Sequence, residues 1–426
     1  MKKFLIFWLC AMLVYTLQAQ PAFQTTPPAA AGFSAERLAR IDQLIQAYID
    51  SNWIEGAIAL VARDGKIVYH KALGYDNRSK EKKLSKDAIW RIASQTKAIT
   101  SVAVMQLFEQ GRFLLDDPIS LYIPAFKKPT VLQSFNAADT TFTTVPAKRE
   151  ITIRDLLTHT SGIGYAQIGS ETMNALYYKA GVIAGIGIRG GLQRDNILRL
   201  AALPLVHQPG EKFTYGLNTD VLGYLVEVVS GLSLDAYFKK YIFEPLGMKD
   251  THFYLSAEKK DRLAMLHMSD KNKKVINAPA SLQVNGEVIR DYPIQDNGSF
   301  FSGGGGLVST AYDYALFMQM LLNGGHLNGK HVLSRNSIRL MTSNQLGDKS
   351  MGRASKFGLG FQVITSADAS GNTVSEGTFS WGGMFASSFW IDPKEKIVAQ
   401  FVLQQYPFSH GELAEKFKSV VYQALR

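Results

Sequence analysis

The sequence predicts an α/β fold in which strands from both ends of the chain build one antiparallel sheet, flanked by helices, around a mostly helical central subdomain at about 112–345. Three observations carry this. Near the start, Ala57–Ala62 and Ile67–His70 are short apolar strands joined across Asp64-Gly65, a strong hairpin dipeptide. Near the end, Phe357–Val363, Gly377–Trp381, Phe385–Ile391 and Ile397–Gln404 read as extended, with a turn at Asp392-Pro393-Lys394. Between them the pattern is helices and loops, so the early hairpin has to find its partners among the late strands.

In chain order, residues 1–20 read as an export signal. Lys2 and Lys3 give a positive start and Ala19 is a small residue for cleavage. Phe4 to Leu17 is apolar but shorter than the about 20 residues that a membrane-spanning helix needs. The mature chain is expected to start near Gln20, in the periplasm or outside a bacterial cell, with no membrane span left. A retained membrane anchor is the competing reading. The single cysteine, Cys10, lies inside this run, so cleavage leaves no thiol for disulfides, thiolate metal sites or a cysteine nucleophile.

Residues 21–32 are rich in Pro, Ala and Thr and read as a linker, with 33–426 as one domain. Ser34 is a good N-cap, Phe33 and Leu38 can form a hydrophobic staple, and Leu38, Ile41, Leu44, Ile45 and Ile49 recur at helical spacing. A helix apolar on most sides follows from about Ser94 to Gln110, ended by Gly111, and is expected to run through the core. Thr152 and Asp155 resemble a capping box, with Gly162 closing that helix. Val221–Ser230 and Asp313–Leu322 are further helices, and Ser302–Gly306 needs an irregular backbone. A last helix is expected from Ser409, with Glu412 completing a capping box; the two terminal helices would cover one sheet face.

Composition narrows the function. At 46% hydrophobic and 19% charged residues, the 426-residue chain is globular rather than disordered. The formal charge of +10 sits in runs (Arg78–Lys86, Lys259–Lys274, Arg353–Lys356) with interleaved acids and almost no aromatics. Solvated loops explain these better than a nucleic-acid site. Gly185, Gly187 and Gly190 spell a dinucleotide motif without the strand before it or the helix after it, the Gly303–Gly306 run lacks the lysine of a phosphate loop, and the eight histidines show no zinc spacing. No cofactor and no metal are expected.

The chemistry points to Ser94-Gln95-Thr96-Lys97. A serine hydroxyl is a weak nucleophile until a base takes its proton, and a lysine three residues on lies over the same helix face. Ser79/Lys82 and Ser256/Lys259 share the spacing, but in charged, hydrophilic runs. The helix at Ser94 is apolar, so Lys97 there is partly buried and usable as a base. On this spacing alone, Ser94 reads equally as a plain N-cap.

Further segments carry a resemblance. Pro209-Gly210-Glu211-Lys212-Phe213-Thr214-Tyr215 with Asp220-Val221-Leu222-Gly223, then Ser380-Trp381-Gly382-Gly383, together with Leu157–Gly162 and Gly304–Thr310, resemble in order the motifs of serine β-lactamase-like and penicillin-binding-protein-like hydrolases over about 34–425. The resemblance implies a β-lactamase/DD-peptidase-like fold. It implies Ser94 as nucleophile, Lys97 as its proton acceptor and Tyr215 as a proton shuttle, with the backbone N–H groups of Ser94 and Met384 as the oxyanion hole. Trp381, Gly382 and Gly383 would line the substrate site. Residue by residue, other readings stand: Tyr215 and Trp381 as core packing, Gly382 and Gly383 as a bulge, and His159 as a structural hydrogen-bonding residue.

Two departures from the pattern bear on substrate. Many relatives carry a lysine where Trp381 stands, and some place an asparagine where Leu217 stands; here Asn218 is one position late. The Trp-Gly-Gly version resembles the carboxylesterase branch of the family. The expected activity is therefore cleavage of small-molecule carboxylic esters through a Ser94 acyl-enzyme. The alternatives are a β-lactamase or a peptidase acting on D-amino-acid cell-wall peptides, and a non-catalytic binding protein on the same fold.

Overall fold

A computed structural model of the chain describes residues 23–426 apart from 166–167, 187–189, 280–282, 285–286, 289–291, 295–297, 352–354 and 367–372. The expected export segment, Cys10 and Gly187 lie outside the described residues.

The central sheet has nine strands: β1 (Gln24–Thr25), β2 (Gly56–Arg63), β3 (Lys66–Asn77), β4 (Lys82–Lys83), β5 (Lys356–Phe357), β6 (Gln362–Val363), β7 (Phe379–Gly383), β8 (Ser387–Asp392) and β9 (Ile397–Val402). They run in the order β1-β3-β2-β9-β8-β7-β6-β5, with β4 beside β3. The early hairpin thus joins the late strands through β2 and β9, where Val61 faces Ala399. Asp64 and Gly65 both adopt left-handed backbone, φ 51° and 74°, which suits a two-residue turn between twisted strands. All pairings are antiparallel except β1 on β3. That parallel strand comes from the stretch expected to be a linker: Thr26 N–H donates to Ile67 O at 2.8 Å, and Arg426 N–H donates to Gly32 O at 3.0 Å.

Strand alternation gives the sheet two buried faces. Ala57, Ala59 and Val61 of β2 and Ile397, Ala399 and Phe401 of β9 face the terminal helices α1 (Ala35–Leu38), α2 (Arg40–Asp50) and a C-terminal helix at Glu412–Gln423. Ser34 caps α1 by accepting from Arg37 N–H at 3.3 Å, and Phe33 and Leu38 are buried together. The C-terminal helix starts at Glu412 rather than Ser409. Ser409 N–H is spent on Ser269 Oγ at 3.1 Å, and the Glu412 carboxylate accepts from Tyr48 OH at 2.6 Å instead of closing a cap.

Leu60 and Ala62 of β2, Phe389 and Ile391 of β8 and Val398 of β9 face the other core, through which α3 (Thr96–Glu109) passes with every residue from Thr96 to Leu107 buried. The expected strand over Phe357–Val363 is two short strands instead. Gly358 N–H donates to Phe361 O at 2.8 Å across a turn in which Gly360 has φ 99°. The central block holds α4 (Ile153–Leu157), α5 (Glu171–Lys179), α6 (Gln193–Ala201), α7 (Asn218–Ser230) and α8 (Ala311–Leu322). It also contains an unexpected hairpin, Thr130–Phe135 against Phe142–Pro146. Among the described residues no single helix is long and apolar enough to cross a membrane.

The capping box of α4 is present: Asp155 N–H donates to Thr152 Oγ1 at 3.1 Å and Thr152 N–H to Asp155 Oδ2 at 2.9 Å. Gly162 does not close this helix, because His159 turns left-handed first, at φ 56°. Replacing Thr152 by alanine is expected to lower stability by about 1 kcal/mol in urea unfolding and to leave kcat unchanged.

Candidate active site

The start of α3 is where three distant stretches meet. Trp90–Arg91 pairs with Val308–Ser309, which brings the Gly-rich 303–306 run against the chain just before Ser94. Ser94 lies in a 3-10 turn, Ala93–Gln95, and no side chain caps α3, so the capping reading of Ser94 does not hold. The turn is fixed from below. Fully buried Gln95 accepts at Oε1 from Gln400 Nε2 at 3.1 Å, and Tyr314 OH donates to Gln95 O at 3.0 Å. These bonds hold Ala93 in a left-handed conformation, φ 45°, that a non-glycine residue otherwise avoids.

Ser94 Oγ is the meeting point of two donors. Tyr215 OH lies at 2.8 Å and Lys97 Nζ at 3.2 Å. Lys97 is 2% exposed and also donates to Gly304 O at 2.6 Å, so both of its hydrogen-bond partners are uncharged oxygens. Its ammonium sits over the faces of Tyr215 and Tyr165, 4.8 and 5.5 Å from the ring centroids. The Gly-rich run is held against α3 at two further points: Thr100 Oγ1 donates to Gly303 O at 2.7 Å, and Leu307 N–H donates to Thr96 Oγ1 at 3.1 Å.

Tyr215 precedes α7 and is held by rings on three sides. Tyr165 stacks on it at 5.6 Å, Trp381 lies at 5.5 Å and His159 at 4.9 Å. His159 is buried. Asn218 Nδ2 donates to His159 Nδ1 at 2.9 Å, while Asn218 Oδ1 accepts from Ser161 Oγ. Burial, reinforced by the Lys97 charge, holds the His159 ring well below the ordinary imidazole range, so it stays neutral at pH 7. It packs behind the tyrosine and does not touch Ser94 Oγ.

β7 brings in the remaining predicted residues. It lies next to the 3-10 turn so closely that a Cβ on Gly383 would be 2.5 Å from Ile92 O. Trp381 faces the site, across from Phe389 on β8 and 5.3 Å from the Phe357 ring. Gly382 pairs with Ser388, and Met384 follows in the turn to β8. Ser94, Tyr215, Trp381, Gly382, Gly383 and Met384 all line one cavity of about 770 Å³, together with Tyr165, Ile168 and Ile186. All the predicted site residues therefore converge, Lys97 lying just beneath the cavity floor. Among the described residues no three His, Cys, Asp or Glu side chains converge as metal ligands. Three contributors were given no role from the sequence: Tyr165, the Gly304 carbonyl and Asp220. Asp220 and Gly304 do lie in segments that carry the resemblance, Asp220–Gly223 and Gly304–Thr310.

A sequence model of the Beta-lactamase family matches residues 41–419. The chain belongs to the beta-lactamase family. Esterase EstB of Burkholderia gladioli is 31% identical over 369 residues, 84% of this chain and 88% of that protein. A putative D-alanyl-D-alanine carboxypeptidase of Escherichia coli K12 is 28% identical, over 88% of this chain and 83% of its own. Among solved structures, that of EstCE1, titled a hydrolase with promiscuous acyltransferase activity, superposes with a TM-score of 0.77 at 26% identity, covering 91% of this chain and 99% of that one. This beta-lactamase-family chain is an enzyme of the serine-hydrolase, esterase-related type, and its sheet of N- and C-terminal strands with a helical subdomain is the fold of that family.

Proposed function

We propose that this enzyme is exported and hydrolyses carboxylic esters through an acyl-enzyme on Ser94. The observation that carries the reading is the convergence on Ser94 Oγ of Tyr215 OH at 2.8 Å and Lys97 Nζ at 3.2 Å. In the first step the Ser94 proton passes to the Lys97/Tyr215 pair as Oγ bonds to the substrate carbonyl carbon. The carbonyl oxygen becomes an oxyanion held by the backbone N–H groups of Ser94 and Met384. The C–O bond to the alcohol then breaks, and Tyr215 hands the departing oxygen its proton. Water, giving up a proton to the same pair, attacks the acyl carbon; Ser94 recovers its proton and the acid leaves.

The rings and aliphatic side chains of Trp381, Tyr165, Ile168 and Ile186 offer an apolar wall within a cavity that Gln362, Thr378, Glu415 and Lys418 also line, and Lys97 is committed to Ser94 and Gly304. The Asn218 amide is fully buried, its Nδ2 donating to His159 Nδ1 and Ile163 O and its Oδ1 accepting from Ser161 Oγ, so it is not presented to a substrate amide. The name of the Burkholderia gladioli relative, an esterase, points the same way. Short-chain or aryl esters are the first choice. The carboxypeptidase name of the Escherichia coli relative supports a second reading, a D-amino-acid peptidase or β-lactamase. A panel of aryl esters, a chromogenic cephalosporin and D-amino-acid peptides separates the two. The ester reading expects the highest kcat/KM on aryl esters and only slow cephalosporin opening; rates favouring the cephalosporin or the peptides overturn it.

A further inference from the structure

Lys97 is buried, yet its hydrogen-bond partners, Ser94 Oγ and Gly304 O, carry no charge to balance an ammonium. One residue further in lies a carboxylate that the mechanism above does not use. Asp220, on the first turn of α7, is 1% exposed. Its Oδ1 accepts three donors: Ser302 Oγ at 2.6 Å, Gln193 Nε2 at 3.1 Å and Gly304 N–H at 3.2 Å. Its Oδ2 has no hydrogen-bond partner and lies against the Gly304 Cα, where a Cβ would approach it to 2.2 Å. Gly304 therefore binds Asp220 through its N–H and Lys97 through its C=O. Only glycine fits between them.

Three donors on one oxygen favour the ionised carboxylate, whose charge they share. Burial pushes the Asp220 carboxyl up from its ordinary value, while the Lys97 charge and the three donors pull against that. Among the described residues the other titratable groups around Asp220 and Lys97 are Tyr215, Tyr165 and His159, with Tyr177 behind Gly164 and Tyr314 behind Gln95. His159 is neutral, and among the described residues Asp220 is the carboxylate whose charge is felt at Lys97.

We infer that Asp220 is a positioning residue for the Ser94 chemistry: it fixes the Gly304 carbonyl against Lys97, and its negative charge holds the Lys97 proton in place, so that Tyr215, the other group on Ser94 Oγ, takes the Ser94 proton. The inference rests on the acyl-enzyme reading of Ser94. An opposite charge favours the protonated form of its neighbour.

The test is the pH profile of kcat/KM for a neutral aryl ester, in the wild type and in Asp220→Asn, which keeps the shape and removes the charge. The acid limb of the asparagine variant is expected to move to lower pH by about one unit, with a lower plateau and little change in KM. A merely structural role lowers the plateau without moving the limb. Labelling of wild-type Ser94 by a fluorophosphonate separates the two ideas. An unlabelled Ser94 defeats the acyl-enzyme reading. A labelled Ser94 with an unmoved limb in the folded variant defeats the role of Asp220. Should Asp220→Asn not fold, carboxyl-carbon NMR titration of the wild type and Lys97→Met decides. Removing the ammonium should raise the pKa of one buried aspartate, and no change in any aspartate overturns the inference.

Discussion

Replacing Ser94 by alanine is expected to lower ester turnover by on the order of 10⁴-fold or more, down to the background that the empty oxyanion hole and binding alone supply. The fold should survive. Lys97 keeps its bond to Gly304 O, and Tyr215 keeps Tyr165, Trp381 and His159 around its ring. Only the bonds of Lys97 and Tyr215 to the hydroxyl are lost, and each net bond is worth about 1 kcal/mol. Thermal unfolding and ester assays on the same sample check both halves. Turnover within tenfold of wild type contradicts the assignment of Ser94.

Replacing Tyr215 by phenylalanine is the second large effect expected. The ring stays in place between Tyr165 and Trp381, and the hydroxyl 2.8 Å from Ser94 Oγ disappears. Loss of a positioned proton-transfer group costs about 10²–10⁴-fold in rate. The fall should appear in kcat, with KM little changed, because the ring wall of the cavity is intact. The loss should also depend on the leaving group. An ester of an acidic phenol departs without a proton and should suffer least in its acylation rate, whereas an alkyl ester should suffer most. Equal acylation losses on both esters would leave Tyr215 no part in protonating the alcohol.

Much of this arrangement is legible in the sequence because local rules and tertiary structure agree. Asp64-Gly65 forces the first hairpin, and the near-continuous apolar runs of β2 and β9 leave each strand two faces to bury, so the two ends of the chain have to meet. The apolar surround of α3 marks Lys97 as a buried amine. What escapes the sequence is what depends on distant partners. The hairpin at Thr130–Phe135 and Phe142–Pro146 is half exposed and carries a register shift between Leu132 and Ser134, which blurs its two-residue period. The C-terminal helix loses its expected cap because Ser409 answers to Ser269, 140 residues away. The Gly304 carbonyl leaves no side-chain trace at all. Only the fold shows that it accepts from Lys97 while its own N–H answers Asp220.

The central claim is that Ser94 is the atom donor that forms the covalent intermediate. The most direct test is the intact mass and peptide map of the purified enzyme after brief mixing with a slowly released aryl ester and acid quench. The expected result is one acyl adduct per chain on the peptide holding Ser94, absent from Ser94→Ala. An adduct on any other residue, or steady ester turnover with no adduct trapped at any quench time and no fluorophosphonate label on Ser94, contradicts it.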